Sequence, residues 1–165
     1  MSRLENLLGA QALAIADRLA DPAARSEAGA LVTLLACPGR GIGWLSDVLG
    51  LTDSGGTRLV ERLVAAGMVA REPGLDARSR TLQLTQLGTE QARRLLADRD
   101  RELADCLDPL STSERRTLER LLAKVVGGLA DDRPSALRVC RLCDRRTCAG
   151  DTGLDCPLEH TTAEA

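Results

Sequence analysis

The chain has 165 residues, with 22 basic and 24 acidic side chains and a net charge of −2. Apolar residues make up 44%, but there is no Phe or Tyr and a single Trp, Trp44, so Leu, Val and Ala must fill any core, which favours packed helices over an aromatic-rich sheet sandwich. No stretch approaches the roughly 20 apolar residues of a bilayer span, and Glu5 and Asp17 interrupt the first apolar segment where a secretory signal would run unbroken; a cytoplasmic location is expected.

Ser2 precedes Glu5 by three residues, a capping-box spacing that starts a helix at once. Leu4, Leu7, Leu8, Ile15 and Leu19 form one stripe along it, and Asp21-Pro22 ends it. A second helix is expected from about Ser26 through Leu31, Leu34 and Leu35, stopped by Cys37-Pro38-Gly39-Arg40-Gly41. Trp44 to Gly50 reads as a short third helix. After the turn Gly50-Leu51-Thr52-Asp53, a fourth helix carries Leu59, Val60, Leu63 and Val64, with Thr52 or Asp53 as its cap and Gly67 closing it.

The period then changes from helical to alternating. Met68–Glu72 and Thr81–Thr85 suit short strands, and the polar segment 73–80 between them suits a loop. A long charged helix is predicted from Gln86 to Leu107, broken by Asp108-Pro109. Ser111 and Glu114 form a second capping box. It opens a helix whose Leu118, Leu121, Leu122, Val125, Val126 and Leu129 share one face. Gly127-Gly128 weakens its end, and 131–134 reads as a linker to a cysteine-rich tail.

Two short helices joined by a tight turn and followed by a hairpin make a winged helix-turn-helix. The fold class expected is mainly α with a small β-wing, flanked by N- and C-terminal helices. The second helix of such a unit enters the DNA major groove. Its early outward residues here are Ser54, Gly55, Gly56, Thr57 and Arg58. An arginine can bond a guanine bidentately, and Ser and Thr can reach bases or phosphates. Arg62, one turn on, is better placed for phosphate. Two glycines in a first turn cost about 1 kcal/mol each; close approach to DNA is one reason to keep them, a plain helix start the other. Arg78 and Arg80, at alternating hairpin positions, point to one side and fit a minor groove, with Asp76 able to hold Arg78 by an ion pair. A net charge of −2 counts mildly against this reading, since phosphate neutralisation requires Lys and Arg, but whole-chain charge averages over faces.

Residues 31 to 88 resemble the MarR (multiple antibiotic resistance regulator) family of winged-helix repressors. The stretches that carry the likeness are 44–51 (WLSDVLGL), 59–71 (LVERLVAAGMVAR) and 76–88 (DARSRTLQLTQLG). The last, an Asp-x-Arg wing running into Leu-Thr-x-x-Gly, is the most specific. The resemblance implies a homodimer knit from helices at about 3–20 and 86–130, binding pseudo-palindromic double-stranded DNA as a repressor. It also implies small ligands or oxidation as common triggers. The family's ligand pocket often has aromatic walls, which this chain cannot supply, so a phenolic effector is not expected.

The tail, 135–160, follows a winged-helix unit spanning 1–131. Cys140, Cys143, Cys148 and Cys156 fall in a C-x2-C-x4-C-x7-C pattern, with Pro157 directly after. Thiols so close together would repel or oxidise unless one centre held them, and such a centre would order a tail too short for its own core. An iron–sulfur cluster tolerates the irregular spacing and the Cys-Pro ending. Zinc also takes four cysteines, but its usual pattern has two C-x2-C knuckles. A thiol or disulfide switch is the third reading. Arg138, Arg141, Arg145 and Arg146 would surround the ligands and offset their charge, and His160 is a spare donor. Cys37 and Cys106, each at a helix end, read as small apolar residues.

Three functions compete. The leading one is a DNA-binding transcriptional regulator controlled by a redox- or metal-responsive four-cysteine centre. The alternative is a winged-helix protein-interaction module with a structural zinc staple. Catalysis is not expected: there is one His, no glycine-rich phosphate loop and no Ser/His/Asp arrangement.

Overall fold

The computed structural model describes residues 2–18, 22–74, 79–149 and 156–158. Helix α1 runs Arg3–Arg18, and its start is fixed as expected: the Ser2 N–H donates to Glu5 (2.6 Å) and the Glu5 N–H donates to Ser2 Oγ (3.3 Å). Leu19, the last residue of its predicted stripe, lies outside the described residues. Helix α2, Pro22–Ala36, begins four residues before the expected Ser26. Proline is tolerated in a first turn, where its missing N–H has no partner to lose. Ala30, Leu31, Val32, Thr33 and Leu34 in succession are buried, so α2 is a central helix, covered on several sides.

Helix α3, Ile42–Leu49, ends at Gly50, which takes the left-handed conformation (φ +67°) and donates to the Asp47 carbonyl. Helix α4, Asp53–Ala65, is capped by Thr52, whose hydroxyl accepts from the Gly55 N–H at 3.2 Å. The inner face of α4 buries Leu59, Val60 and Leu63. Strands β1 (Val69–Pro73) and β2 (Arg80–Leu84) pair antiparallel, with Val69 opposite Leu84 and Arg71 opposite Leu82. A feature with no signal in the sequence pattern is a third rung. Leu82 donates to the Arg40 carbonyl (2.9 Å) and accepts from the Gly39 N–H (3.0 Å), which ties the hairpin to the chain leaving α2.

Helix α5, Gln86–Leu107, has the predicted bounds. Thr85 caps it by accepting from Gly88 N (3.1 Å), and its own hydroxyl donates to the Gly67 carbonyl (2.7 Å). Gly88 is buried against the α4–β1 turn, where a Cβ would stand 2.0 Å from the Met68 carbonyl oxygen. The Leu-Thr-x-x-Gly pattern thus has a physical cause: threonine closes the turn and glycine lets two backbones meet. The core is Ala30, Leu31, Leu34, Leu45, Leu59, Val60, Leu63, Val69, Leu82 and Ala92, with Trp44 only at its edge.

Helix α6, Thr112–Gly127, carries the expected capping box between Ser111 and Glu114. Its apolar stripe is not covered within the subunit: Leu121, Leu122, Val125 and the following Leu129 are between 42% and 58% exposed, as are Leu4, Leu7, Leu8 and Leu13 of α1 at 49% to 75%. The expected linker at 131–134 is instead a helix start. Asp132 and Ser135 form a capping box, and Pro134 lies in the first turn of α7, Arg133–Val139. A five-residue helix, α8, follows at Arg145–Ala149. Among the described residues no helix is long and apolar enough to cross a membrane.

Gly88→Ala should destabilise the fold by about 1–3 kcal/mol, toward the upper end because the atom it strikes is backbone. Urea denaturation measures this directly; a loss below about 0.5 kcal/mol would mean that α5 is not seated on the turn as described.

Candidate nucleic-acid interface and cysteine cluster

One face of α4 is buried through Gly56, Leu59, Val60 and Leu63, so a ligand can meet only the other. Ser54 and Arg58 are exposed there, and Gly55 and Thr57 are half-buried beside them. Gly56 corrects the sequence reading. It is buried and faces α3, where a Cβ would stand 1.8 Å from Ser46 Oγ. The need for a glycine at 56 is therefore a helix–helix contact, not a DNA-facing backbone. At Gly55 a Cβ would lie 3.1 Å from the capping Thr52 hydroxyl. Arg62 is exposed but reaches back to Glu27 of α2 in a 3.1 Å ion pair, which braces α4 against α2.

On the wing, Arg80 is exposed at the start of β2, opposite Pro73. Asp76 and Arg78 lie outside the described residues. Sequence reasoning overlooked two cations near the hairpin. Arg71 is exposed on β1, and the Arg40 guanidinium lies 5.4 Å from the centre of the Trp44 ring, at the base of the wing. Its basic side chain on a predicted wing strand could have flagged Arg71. Arg40 depends on the third rung, which has no local signal.

The tail folds back onto this body. Cys140 ends α7, and the Cys143 N–H donates to its carbonyl at 3.0 Å, closing the C-x2-C turn. Cys148 lies on α8 and is exposed. Cys156-Pro157-Leu158 returns against Val126, Ala130, Ala136 and Val139, with Leu158 wholly buried. Pro157 O comes within 3.3 Å of where a Gly127 Cβ would be, so Gly127 leaves room for the returning tail.

The four sulfurs share one electrostatic neighbourhood. The Cys140 thiol donates to Cys143, and Arg99, Arg145 and Arg141 add positive charge. Against the opposing effect of burial, these lower the Cys143 pKa to about 6. The same hydrogen bond, with burial and the nearby Cys143 and Cys156, raises Cys140. Cys148 is raised by partial desolvation first, then by Cys143 and Cys156. Among the described residues no three potential ligands converge to metal-binding separation. The donor set is four thiols in a cationic surround, with Cys140 hydrogen-bonded to Cys143 and with Cys148 and Cys156 within electrostatic reach.

That surround differs from the expected one. Arg138 turns away from the cysteines and donates to the Asp47 carbonyl at 3.1 Å. Arg99 of α5, remote in sequence, approaches Cys143 Sγ at 4.0 Å. Arg145 donates to Cys37 Sγ at 3.1 Å, and its Nη2 is buried with no partner among the described residues. Cys37 is therefore more than apolar filling. Cys106 likewise has polar contacts, with Arg18 at 3.6 Å and the Glu102 carbonyl at 3.2 Å. The side chain of Arg146 and all of His160 lie outside the described residues. Beside Cys143 and Arg145 is a cavity of about 120 Å³, also lined by Val32, Leu35, Ala36 and Leu96 and by no aromatic side chain.

No protein-family model and no curated protein matches the chain. Solved structures do. A MarR family protein from Bacillus stearothermophilus superposes with a TM-score of 0.65 at 29% identity, over 74% of this chain and 89% of its own. RV1404 from Mycobacterium tuberculosis gives 0.64 at 26% identity, over 76% and 90%. The chain has the winged-helix fold of MarR family proteins. A more distant neighbour, MepR, is described as a transcription regulator of the Staphylococcus aureus multidrug efflux pump MepA; it shares 20% identity over 64% of this chain and 78% of its own, with a TM-score of 0.54. In this MarR-like fold α3 and α4 are the helix-turn-helix and β1–β2 the wing.

Proposed function

We propose that this chain is a homodimeric, DNA-binding transcriptional regulator whose affinity for its operator is set by a four-cysteine centre in its tail. The observation that carries the DNA reading is the division of α4. Its inner face is locked by Leu59, Val60 and Leu63, while Ser54 and Arg58 are exposed on the outer face, on the same body as the wing residues Arg71 and Arg80. A rigid helix with a free arginine and hydroxyls suits base contacts in a major groove. The structural neighbours, a MarR family protein and a transcription regulator among them, support the same reading.

The apolar stripes of α1 and α6 support a dimer. A single subunit leaves seven large aliphatic side chains of these helices, and Leu129 just after α6, at least two-fifths exposed, and contiguous patches of that kind mark interaction sites. A two-fold axis through them would give two reading heads for a pseudo-palindromic site, with half-sites about 34–36 Å apart. Repression is the expected outcome, and working on DNA implies a cytoplasmic location.

Cys140, Cys143, Cys148 and Cys156 would hold the centre, an iron–sulfur cluster in preference to zinc. Either leaves a negative charge on four thiolates, and Arg99, Arg141 and Arg145 stand ready to balance it. A cluster would supply sensitivity to oxidants or iron; zinc would hold the tail rigid.

Three measurements test this. Arg58→Ala should weaken specific binding by about 1–3 kcal/mol if Arg58 reads a base; equal loss on random DNA would assign it to phosphate, and no salt dependence of binding by the unaltered protein would favour a protein-interaction module. Leu122→Glu should give monomer or aggregate by light scattering, whereas an unaltered chain that binds DNA as a stable monomer would overturn the dimer. Protein purified without oxygen should contain one centre per chain, with visible absorption if iron–sulfur, and Cys143→Ser should remove it. Equal DNA affinity with and without the centre would reduce the tail to a staple.

A further inference from the structure

The route by which the tail reaches the reading head is open on sequence alone. A tail placed after the last dimerisation helix would act by shifting the spacing of two subunits. The contacts favour a different route. We infer that the cysteine tail acts on the recognition helix of its own subunit, through α7 and the Arg138 side chain laid on the turn between α3 and α4. This rests on the proposed control of DNA affinity by the centre.

Helix α7 is seated against α3. Its Ala136 and Leu137 are buried, at 0% and 4% exposure. From that seat Arg138 reaches the Asp47 carbonyl at 3.1 Å, and its guanidinium carbon lies 3.3 Å from where a Gly50 Cβ would be. The Asp47 carbonyl also accepts the Gly50 N–H, and the Ser46 carbonyl accepts from Leu51. Two residues later Thr52 caps α4. Arg138 therefore sits on the joint whose backbone sets the direction of the recognition helix. A helix end has carbonyls without helical partners, so a guanidinium donated there completes the end of α3.

The other end of this strut is the cysteine turn. Cys140 comes two residues after Arg138, and Arg141 Nη1 donates back to the Arg138 carbonyl at 2.6 Å. The Arg141 carbonyl accepts from the buried Thr33 hydroxyl of α2 at 3.5 Å. The first two cysteines are thus pinned to α2 and α3, the DNA-reading body. Cys156 is held from the opposite side, by the end of α6 through Pro157 and Leu158. Gathering Cys140, Cys143, Cys148 and Cys156 around one centre draws these two attachments together, and the strain falls on the α3–α4 joint.

The test uses the full-length dimer, purified without oxygen, compared with the same protein stripped by EDTA. Arg138→Ala should keep the metal content and absorption of the unaltered protein. Amide exchange at Gly50 and Leu51 should accelerate about tenfold, and the ratio of DNA affinities between loaded and stripped protein should fall toward one. Arg138→Lys, which can donate to the same carbonyl, should restore part of that ratio and supplies the comparison if the alanine variant does not fold. Unchanged exchange at Gly50 and Leu51, or a ratio equal to that of the unaltered protein, overturns the strut. If the unaltered protein binds DNA equally with and without metal, the control by the centre fails; accelerated exchange in Arg138→Ala then still upholds the strut, and its absence overturns that as well.

Discussion

Leu82 gives its N–H to Arg40 and takes the N–H of Gly39, while its side chain is wholly buried with Leu31, Leu34, Leu45 and Leu63 in the core. A two-stranded hairpin alone is at best marginally stable in water, so the wing needs an anchor. These ties supply it from the chain that leaves α2. Burial of one leucine is worth about 1.5–3 kcal/mol, and the two backbone bonds add specificity of register. A slip of one residue along β2 would turn Leu82 to solvent and Thr81 inward. The positions of Arg80 and Arg71, and the point at which α5 starts, follow from this one residue.

The rest of the body answers a single compositional constraint. Without Phe or Tyr, large gaps between helices cannot be filled, so the helices must come close. Gly56 against Ser46 and Gly88 against the Met68 carbonyl are the places where they do. Adjacent glycines in a helix start cost stability locally, and Gly56 is offset by the close α3–α4 contact that fixes the reading helix. The stripes of α1 and α6 stay exposed on a single subunit, and the proposed dimer would cover them with the same aliphatic packing.

Most elements were legible in the sequence because their signals are local. The capping boxes at Ser2 and Ser111, the α5 bounds and the hairpin position all rest on residues within four of each other. What was not legible is long-range. Asp132–Pro134 reads as a linker until Ser135 is seen to complete a cap and Ala136 and Leu137 find α3 beneath them. Gly56 reads as outward until Ser46 is placed opposite it. The arginines near the cysteines were expected from the tail itself, but Arg99, 44 residues before Cys143, takes the place that Arg138 vacates for Asp47. Spacing named the four cysteines and left their surroundings undetermined.

Magnitudes bear on whether so small a tail can matter. A tenfold change in DNA affinity requires about 1.4 kcal/mol, and couplings between sites in proteins commonly lie at 1–3 kcal/mol. A hydrogen bond from a charged donor contributes about 1.5–3 kcal/mol when well formed, and less where water competes, as it does at the exposed Arg138. One such contact on a helix-turn-helix joint is therefore of the right size, provided that it is made in one state of the tail and lost in the other. Binding of a structural metal is worth roughly 10–16 kcal/mol in small zinc peptides, far more than the joint can absorb. The limiting quantity is thus the stiffness of the path from Cys140 to Asp47. That path is short: one turn of α7, with Ala136 and Leu137 buried beneath it and Arg141 folded back on the Arg138 carbonyl.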